Sequence, residues 1–287
     1  MTSIQKVKST IKSTEKTKKI TYAMELVSAS KLGKTQETMK RAKPYANKML
    51  EVIGNLANAQ SEYRHAFLEK RDNPKVIGVI LVTTDRGLCG GLNINLLKRV
   101  IKFAQEQETK GIKVHFSIFG NKGIHFFKRL KSTVLSEAAK LSDAPKITDL
   151  LGVIQSMIQA YENKQVDQVY LASNTFGNMM TQSPFINPLL PLPKLEQPTQ
   201  THQWDYLYEP DAARVIDLLL HRYIESQVYQ AVVENIACEQ ASRMMAMKNA
   251  TDNAEEIIDD LKLMFNKARQ AAITQELAEI VAGSNAV

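Results

Sequence analysis

Residues 211–282, DAARVIDLLLHRYIESQVYQAVVENIACEQASRMMAMKNATDNAEEIIDDLKLMFNKARQAAITQELAEIVA, contain neither proline nor glycine. Nearly every position holds a residue that tolerates helix. One helix over this span, rising about 1.5 Å per residue, is roughly 100 Å long, beyond the diameter of a domain of this size. Such a helix cannot bury itself alone. Its clearest pattern, Met247, Ala250, Ala254, Ile257, Leu261, Met264, Ala268 and Ala271, alternates steps of three and four, the spacing of a seam against a partner helix.

The start of the chain supplies the partner. Residues 2–58 read as one long helix with Ser, Thr and Lys on its outer face. Ile20, Ala23 and Val27 form its apolar stripe, continued by Met39, Ala42, Ala46, Met49, Ile53 and Leu56. Gly33 and Pro44 are its weak points, and a bend is expected near residues 40–44. Residues 1–58 carry 12 basic and 4 acidic side chains, net +8, whereas residues 210–287 carry 7 basic and 12 acidic, net −5. Opposite charge favours their pairing. The expectation is a slim antiparallel two-helix coiled coil whose Ala- and Met-rich seam brings the backbones close.

Between the helices, residues 76–83 (VIGVILVT) are a β-branched apolar run, followed by a glycine-rich turn and an amphipathic helix over about 93–108. Residues 113–119 read as a second strand closed by the Gly120 to Gly123 turn, with a short helix after it. A helix capped by Thr148 or Asp149 runs to about Tyr161, and residues 169–173 form a third strand. Alternating strands and helices imply a small, mostly parallel, Rossmann-like α/β domain. Pro184, Pro188, Pro191, Pro193 and Pro198 exclude helix and suggest extended edge segments and a linker. The fold class is thus α/β with long helices, divided into an N-terminal coiled-coil helix (1–58), an α/β domain with linker (59–209) and a C-terminal coiled-coil helix (210–287).

A net charge of +7 and a pI near 9.2 suit nucleic acid, anionic lipid or an acidic protein partner. Most of that excess lies in the first helix, which has few aromatics for base stacking, so pairing with an acidic helix is the simpler account. Cys89 and Cys238 lie far apart in sequence, without a histidine at metal spacing, which argues against a disulfide framework or zinc site. The longest apolar run is too short to span a bilayer and no signal-peptide pattern opens the chain, so a soluble or peripheral protein is expected.

The most enzyme-like stretch is Asp85, Arg86, Gly87, Leu88, Cys89, Gly90 and Gly91, placed where α/β folds bind phosphate. Its spacing is neither a dinucleotide fingerprint nor a Walker loop, so it reads as a tight turn or a protein contact. Cys89 reads as a packed thiol, and the five histidines as surface or packing residues. A nucleotide-binding enzyme and a free coiled-coil scaffold remain the alternative classes.

Three stretches together carry a resemblance. Residues 19–27 (KITYAMELV), 85–91 (DRGLCGG) and 268–277 (ARQAAITQEL) closely resemble the gamma subunits of bacterial F-type ATP synthases, in matching order over the whole chain. The terminal signature matches at Ile273, Thr274, Glu276, Glu279 and Gly283, with Ser284 in place of its final alanine. The resemblance implies a non-catalytic central rotor shaft without a cofactor. Its implied partners are alpha and beta subunits, an epsilon subunit and a c ring, with no nucleic acid. Association with the cytoplasmic face of the bacterial plasma membrane follows indirectly, through the complex. It also implies that Met24, Arg243, Gln270, Thr274 and Glu276 lie at rotor-stator contacts, and that Tyr206, Tyr208 and Glu209 belong to the foot on the c ring.

Overall fold

The computed structural model describes residues 4–59, 65–69, 71, 73–192 and 212–284, with backbone only for helix residues 42–47, 50–59, 212–213 and 283–284. The elements run α1 (Ile4–Ala59), β1 (Val76–Val82), α2 (Leu92–Glu108), β2 (Lys113–Phe119), α3 (Asn121–Arg129) and β3 (Val134–Ala138). After a 3₁₀ turn at Ile147–Asp149 come α4 (Leu151–Glu162), β4 (Gln168–Phe176), β5 (Gln182–Leu190) and α5 (Ala212–Ser284). Gly33 and Pro44 do not end α1, which remains helical through both.

The strands form one sheet in the order β3-β2-β1-β4-β5. The first four are mutually parallel and β5 is antiparallel to β4. β1 explains why the centre reads as a continuous apolar run. Its side chains alternate between faces, Ile77, Val79 and Leu81 entering one core and Ile80 and Val82 the other, so both faces are buried. Leu96, Leu97 and Val100 of α2 and Ile124 and Phe127 of α3 cover the first face. The second is covered by Val153, Ile154, Met157 and Tyr161 of α4, together with Leu220, Ile224, Val228 and Val232 of α5.

β3 was not anticipated. Its sequence, VLSEA, is short and half polar, and its strand character comes from parallel pairing with β2 rather than from its own pattern. The proline-rich segment does supply an edge. Pro184 and Pro188 sit opposite Asn174 and Tyr170 on β5, where a missing N–H is tolerated because β5 has a partner on one side only.

The chain divides into two compact units, residues 1–29 with 243–287, and residues 30–242. Residues 214–242 of α5 carry a wide apolar face, with Leu220, Ile224, Val228 and Val232 at 0–1% exposure. That face belongs to the core on the sheet. In the first unit α1 and α5 run antiparallel, as Lys18 reaches Glu255 at 2.7 Å while the later Thr21 meets the earlier Thr251 at 2.8 Å.

The seam of that pair differs from the one read by apolarity. On α5 the inward positions are Met247, Thr251, Ala254 and Ile258, continued by the half-buried Leu261, Phe265, Ala268 and Ala272. Ile257 and Met264, expected inside, are 50% and 59% exposed, Ala271 is exposed, and Ala250 is only half-buried. On α1 the inward face is Val7, Ile11, Thr14, Lys18, Thr21, Glu25 and Ser28, while Ile20 and Val27 are 60% and 55% exposed and Ala23 also faces out. Hydroxyls can occupy the seam because the helix itself satisfies them. Thr21 Oγ1 donates to the Lys18 carbonyl at 3.0 Å, and Thr251 Oγ1 lies 2.9 Å from the Met247 carbonyl. Small side chains at Ala254, Thr251 and Thr21 then allow close approach, while other bulky apolar residues, Ile20, Val27, Ile257 and Met264 among them, turn outward.

Candidate functional site

The turn between β1 and α2 has two left-handed residues, Leu88 (φ 63°) and Gly90 (φ 56°), on either side of Cys89. Its polar groups are largely used within the fold. Asp85 accepts hydrogen bonds from the Asn121 amide at 3.0 Å and the Leu141 amide at 2.9 Å, so its carboxylate sits at the N-terminal end of α3. Asn93 Oδ1 accepts from the Thr84 amide at 3.2 Å, and its Nδ2 donates to Thr84 Oγ1 at 2.7 Å and to Cys89 Sγ at 3.3 Å. The Cys89 carbonyl accepts from Ser242 Oγ at 2.7 Å, fastening the turn to α5. Cys89 is buried with Leu92 and Cys238, and Phe176 packs on the group. Outward, the turn presents Arg86 and the 61% exposed Leu88. The arrangement is a stitched tight turn with a protruding apolar tip.

Gly120 makes this stitching possible. It adopts φ 93°, and a Cβ there would stand 2.3 Å from the Thr83 carbonyl oxygen. That approach lets Thr83 donate to the Phe119 carbonyl at 2.8 Å while accepting from the Gly123 amide at 2.9 Å.

The other candidate residues fall on the helices of the first unit. Gln270 and Thr274 lie one turn apart on α5, Thr274 Oγ1 donating to the Gln270 carbonyl at 2.9 Å, and both side chains are exposed. Glu276 is exposed on the same helix, Met24 is half-buried on α1, and Arg243 is buried at 7% exposure. Tyr206, Tyr208 and Glu209 lie outside the described residues.

Apolarity alone hid a second set of surface residues. Ile20, Tyr22, Leu26 and Val27 of α1 and Ile257, Leu263 and Met264 of α5 face outward, each 50–61% exposed, and farther along α5 so do Ile273, Leu277, Ile280 and Val281. The detectable signal was the doubling of apolar residues at 257–258, 264–265 and 271–272, where one member packs inward and its neighbour faces out. Bulky apolar residues outward on both helices make a surface suited to an enclosing protein rather than to water.

A family model described as ATP synthase matches residues 3–287. ATP synthase gamma chains of Legionella pneumophila strains Corby and Lens are each 53% identical to this chain over 289 residues, covering 100% of both sequences. Among solved structures, a chain from the central stalk and c ring of Tetrahymena thermophila mitochondrial ATP synthase is 24% identical. It has a TM-score of 0.61, with 80% of this chain and 99% of that chain covered. A chain from Euglena gracilis mitochondrial ATP synthase in rotational state 3 is 17% identical, with a TM-score of 0.58, 92% of this chain and 94% of that chain covered. These structural likenesses speak to the fold.

Proposed function

The chain belongs to the ATP synthase gamma chain family, and from that premise we propose that it is the central rotor shaft of a bacterial F-type ATP synthase. Ion-driven turning of a c ring is transmitted through it to a hexamer of alternating alpha and beta subunits, where ATP is made or hydrolysed. The chain is non-catalytic, the chemistry lying in the beta subunits. An epsilon subunit accompanies it at the ring. It is held at the cytoplasmic face of the plasma membrane through the complex, in keeping with the lack, among the described residues, of a helix long and apolar enough to cross a membrane.

The observation that carries this reading is the antiparallel pair of the first unit. Its seam mixes small and hydroxyl-bearing side chains such as Thr21, Ser28, Thr251 and Ala254 with a few larger apolar ones such as Met247 and Ile258, and further bulky apolar residues face outward on both helices. A shaft inside a sleeve needs that division. A slim seam keeps the pair narrow, and an apolar exterior turns without strong directional bonds to one stator position, so that each beta subunit is biased in turn rather than held. The terminal segments 1–58 and 210–287 supply the shaft and residues 59–209 the base, with Tyr206, Tyr208 and Glu209 in the foot on the c ring. Met24, Arg243, Gln270, Thr274 and Glu276 are the proposed rotor-stator contacts and their support. Arg86 and Leu88 are exposed contacts at the base turn.

Gln270→Leu and Thr274→Val test the assignment. Both side chains are exposed, so the variants fold and assemble, and ATP synthesis in membrane vesicles is expected to fall several-fold. Unchanged synthesis rates in both variants would count against these contacts.

A further inference from the structure

We propose that Asp143 is a positioning residue that clamps α1 to α5 and both to the base, so that torque applied to the base turns the two helices together. The inference rests on the rotor reading and deepens it. Asp143 lies in the loop between β3 and the 3₁₀ turn. One oxygen of its carboxylate meets Lys31 Nζ of α1 at 2.7 Å, and the other accepts from Gln240 Nε2 of α5 at 3.4 Å. A single side chain from the base therefore bridges the two long helices. Both partners belong to residues 30–242, Lys31 one residue inside the start of that unit and Gln240 two residues inside its end. The bridge thus stands at the level where both helices pass out of it.

The loop that carries Asp143 is fastened to the sheet. The Gly120 amide donates to the Ala138 carbonyl at 2.8 Å, and the Leu141 amide donates to Asp85 at 2.9 Å. Leu141 packs against the core beneath the sheet, and Pro145, which fixes its own φ, is buried. Asp143 is held on both sides by these anchors, so a displacement of the sheet is passed to its carboxylate.

The two helices differ in how they are gripped. α5 fills the core on the sheet from Leu220 to Ile236, and directional bonds hold it along that length. Ser173 Oγ donates to the Ala231 carbonyl at 3.2 Å, the Phe176 amide to Glu234 at 2.9 Å, and Ser242 Oγ to the Cys89 carbonyl at 2.7 Å. Near Lys31, α1 buries Leu32 and Thr35, each at 3% exposure, and Thr35 Oγ1 donates to the Leu32 carbonyl of its own helix at 2.9 Å. Apolar burial resists separation but has no direction, so it opposes sliding and turning only weakly. A charge-assisted hydrogen bond does have a preferred geometry, and the Asp143 to Lys31 contact supplies one at this level. Its side chains are 40% and 52% exposed, so losing it leaves the fold intact. Without it, α1 slips against α5 under load and part of each rotation is not delivered.

The test uses the complete complex in membrane vesicles, with the full-length chain carrying Asp143→Ala, Lys31→Asp, or the exchange of Lys31→Asp together with Asp143→Lys. The Gln240 amide both donates and accepts, so it suits either charge at position 143. ATP hydrolysis and ATP-driven ion pumping are read on the same vesicles, giving ions moved per ATP, and ATP synthesis is read separately. In both single variants the pumping-to-hydrolysis ratio and the synthesis rate are expected to fall about two- to fivefold, with subunit yield and hydrolysis close to those of the parent. The exchanged pair is expected to recover most of the loss. An unchanged ratio in Asp143→Ala would overturn the proposal, as would an exchanged pair no better than the single variants. A matching fall in subunit yield, hydrolysis and synthesis would make Asp143 a residue of stability alone and would also overturn it. Failure of the rotor reading is distinct, because the parent complex itself would then lack the chain or synthesise no ATP.

Discussion

Asp85 joins three separate parts of the base. One carboxylate oxygen lies 3.0 Å from the Asn121 amide and the other 2.9 Å from the Leu141 amide, so a single side chain ties the end of β1 to the start of α3 and to the loop after β3. Hydrogen bonds to a charged acceptor are stronger than neutral ones, so Asp85→Ala is expected to cost on the order of 2–4 kcal/mol, read as a shift in the urea midpoint. His115 makes a pH-dependent prediction. Burial and then the charge of Lys113 hold its pKa below the ordinary 6.5. The unfolded chain therefore binds this proton more readily than the folded one. The stability due to neutral His115 is present above about pH 6.5 and is lost as pH falls below that value. Replacing it with glutamine should flatten this part of the acid limb, measured as the difference in urea midpoint between about pH 7.5 and about pH 5.5. An unchanged acid dependence would assign the effect to other groups. The turn at Asp85 was legible as a turn from its glycines. Its partners were not, since they lie 36 and 56 residues away and pairing at that distance leaves no local pattern.

α5 has different neighbours along its length. From Leu220 to Ile236 it covers a sheet, which asks for a wide apolar face. From Met247 onward it packs on α1 through a narrow seam of Met247, Thr251, Ala254 and Ile258. The adjacent isoleucines separate the two demands. Ile258, 5% exposed, packs in the seam, and its replacement by alanine is expected to destabilise the pair by roughly 2–4 kcal/mol. Ile257, 50% exposed, should change stability by less than about 0.5 kcal/mol when made alanine, while weakening assembly with the enclosing subunits. Thermal melts compared with co-purification yields distinguish these effects; equal destabilisation would contradict the register. The helices, the parallel sheet and the proline-bearing edge could be read from period, β-branching and punctuation. Seam register could not, because Ile257 with Ile258 and Met264 with Phe265 satisfy two heptad frames equally. The deciding residues, Thr21 and Thr251, look polar until their hydroxyls are bonded to their own helix or to one another. β3 was missed for the opposite reason, having too little pattern of its own.

Across the whole molecule, the charge contrast between the ends is only modestly spent on pairing them. The Lys18–Glu255 bridge has side chains 33% and 61% exposed, and an exposed pair contributes at most about 1 kcal/mol. Lys12, Lys16 and Lys19 face outward beside the apolar residues of α1, leaving positive charge for an acidic partner. The same helix thus carries an inward face with hydroxyl-bearing residues at Thr14, Thr21 and Ser28 and an outward basic and apolar face, the combination expected of a shaft turning within other subunits. The family could be recognised from residues 19–27, 85–91 and 268–277, whereas the outward apolar set required the structure, because apolar spacing assigned Ile20, Val27, Ile257 and Met264 to the seam. The rotor role is tested by purifying the tagged full-length chain from native membranes and assaying what accompanies it for ATPase activity. A central shaft brings down alpha- and beta-type subunits in equal amounts, each in excess over the tagged chain, with an epsilon-type subunit and ATP hydrolysis. Recovery of the chain alone, or as a homodimer without ATPase activity, would contradict it.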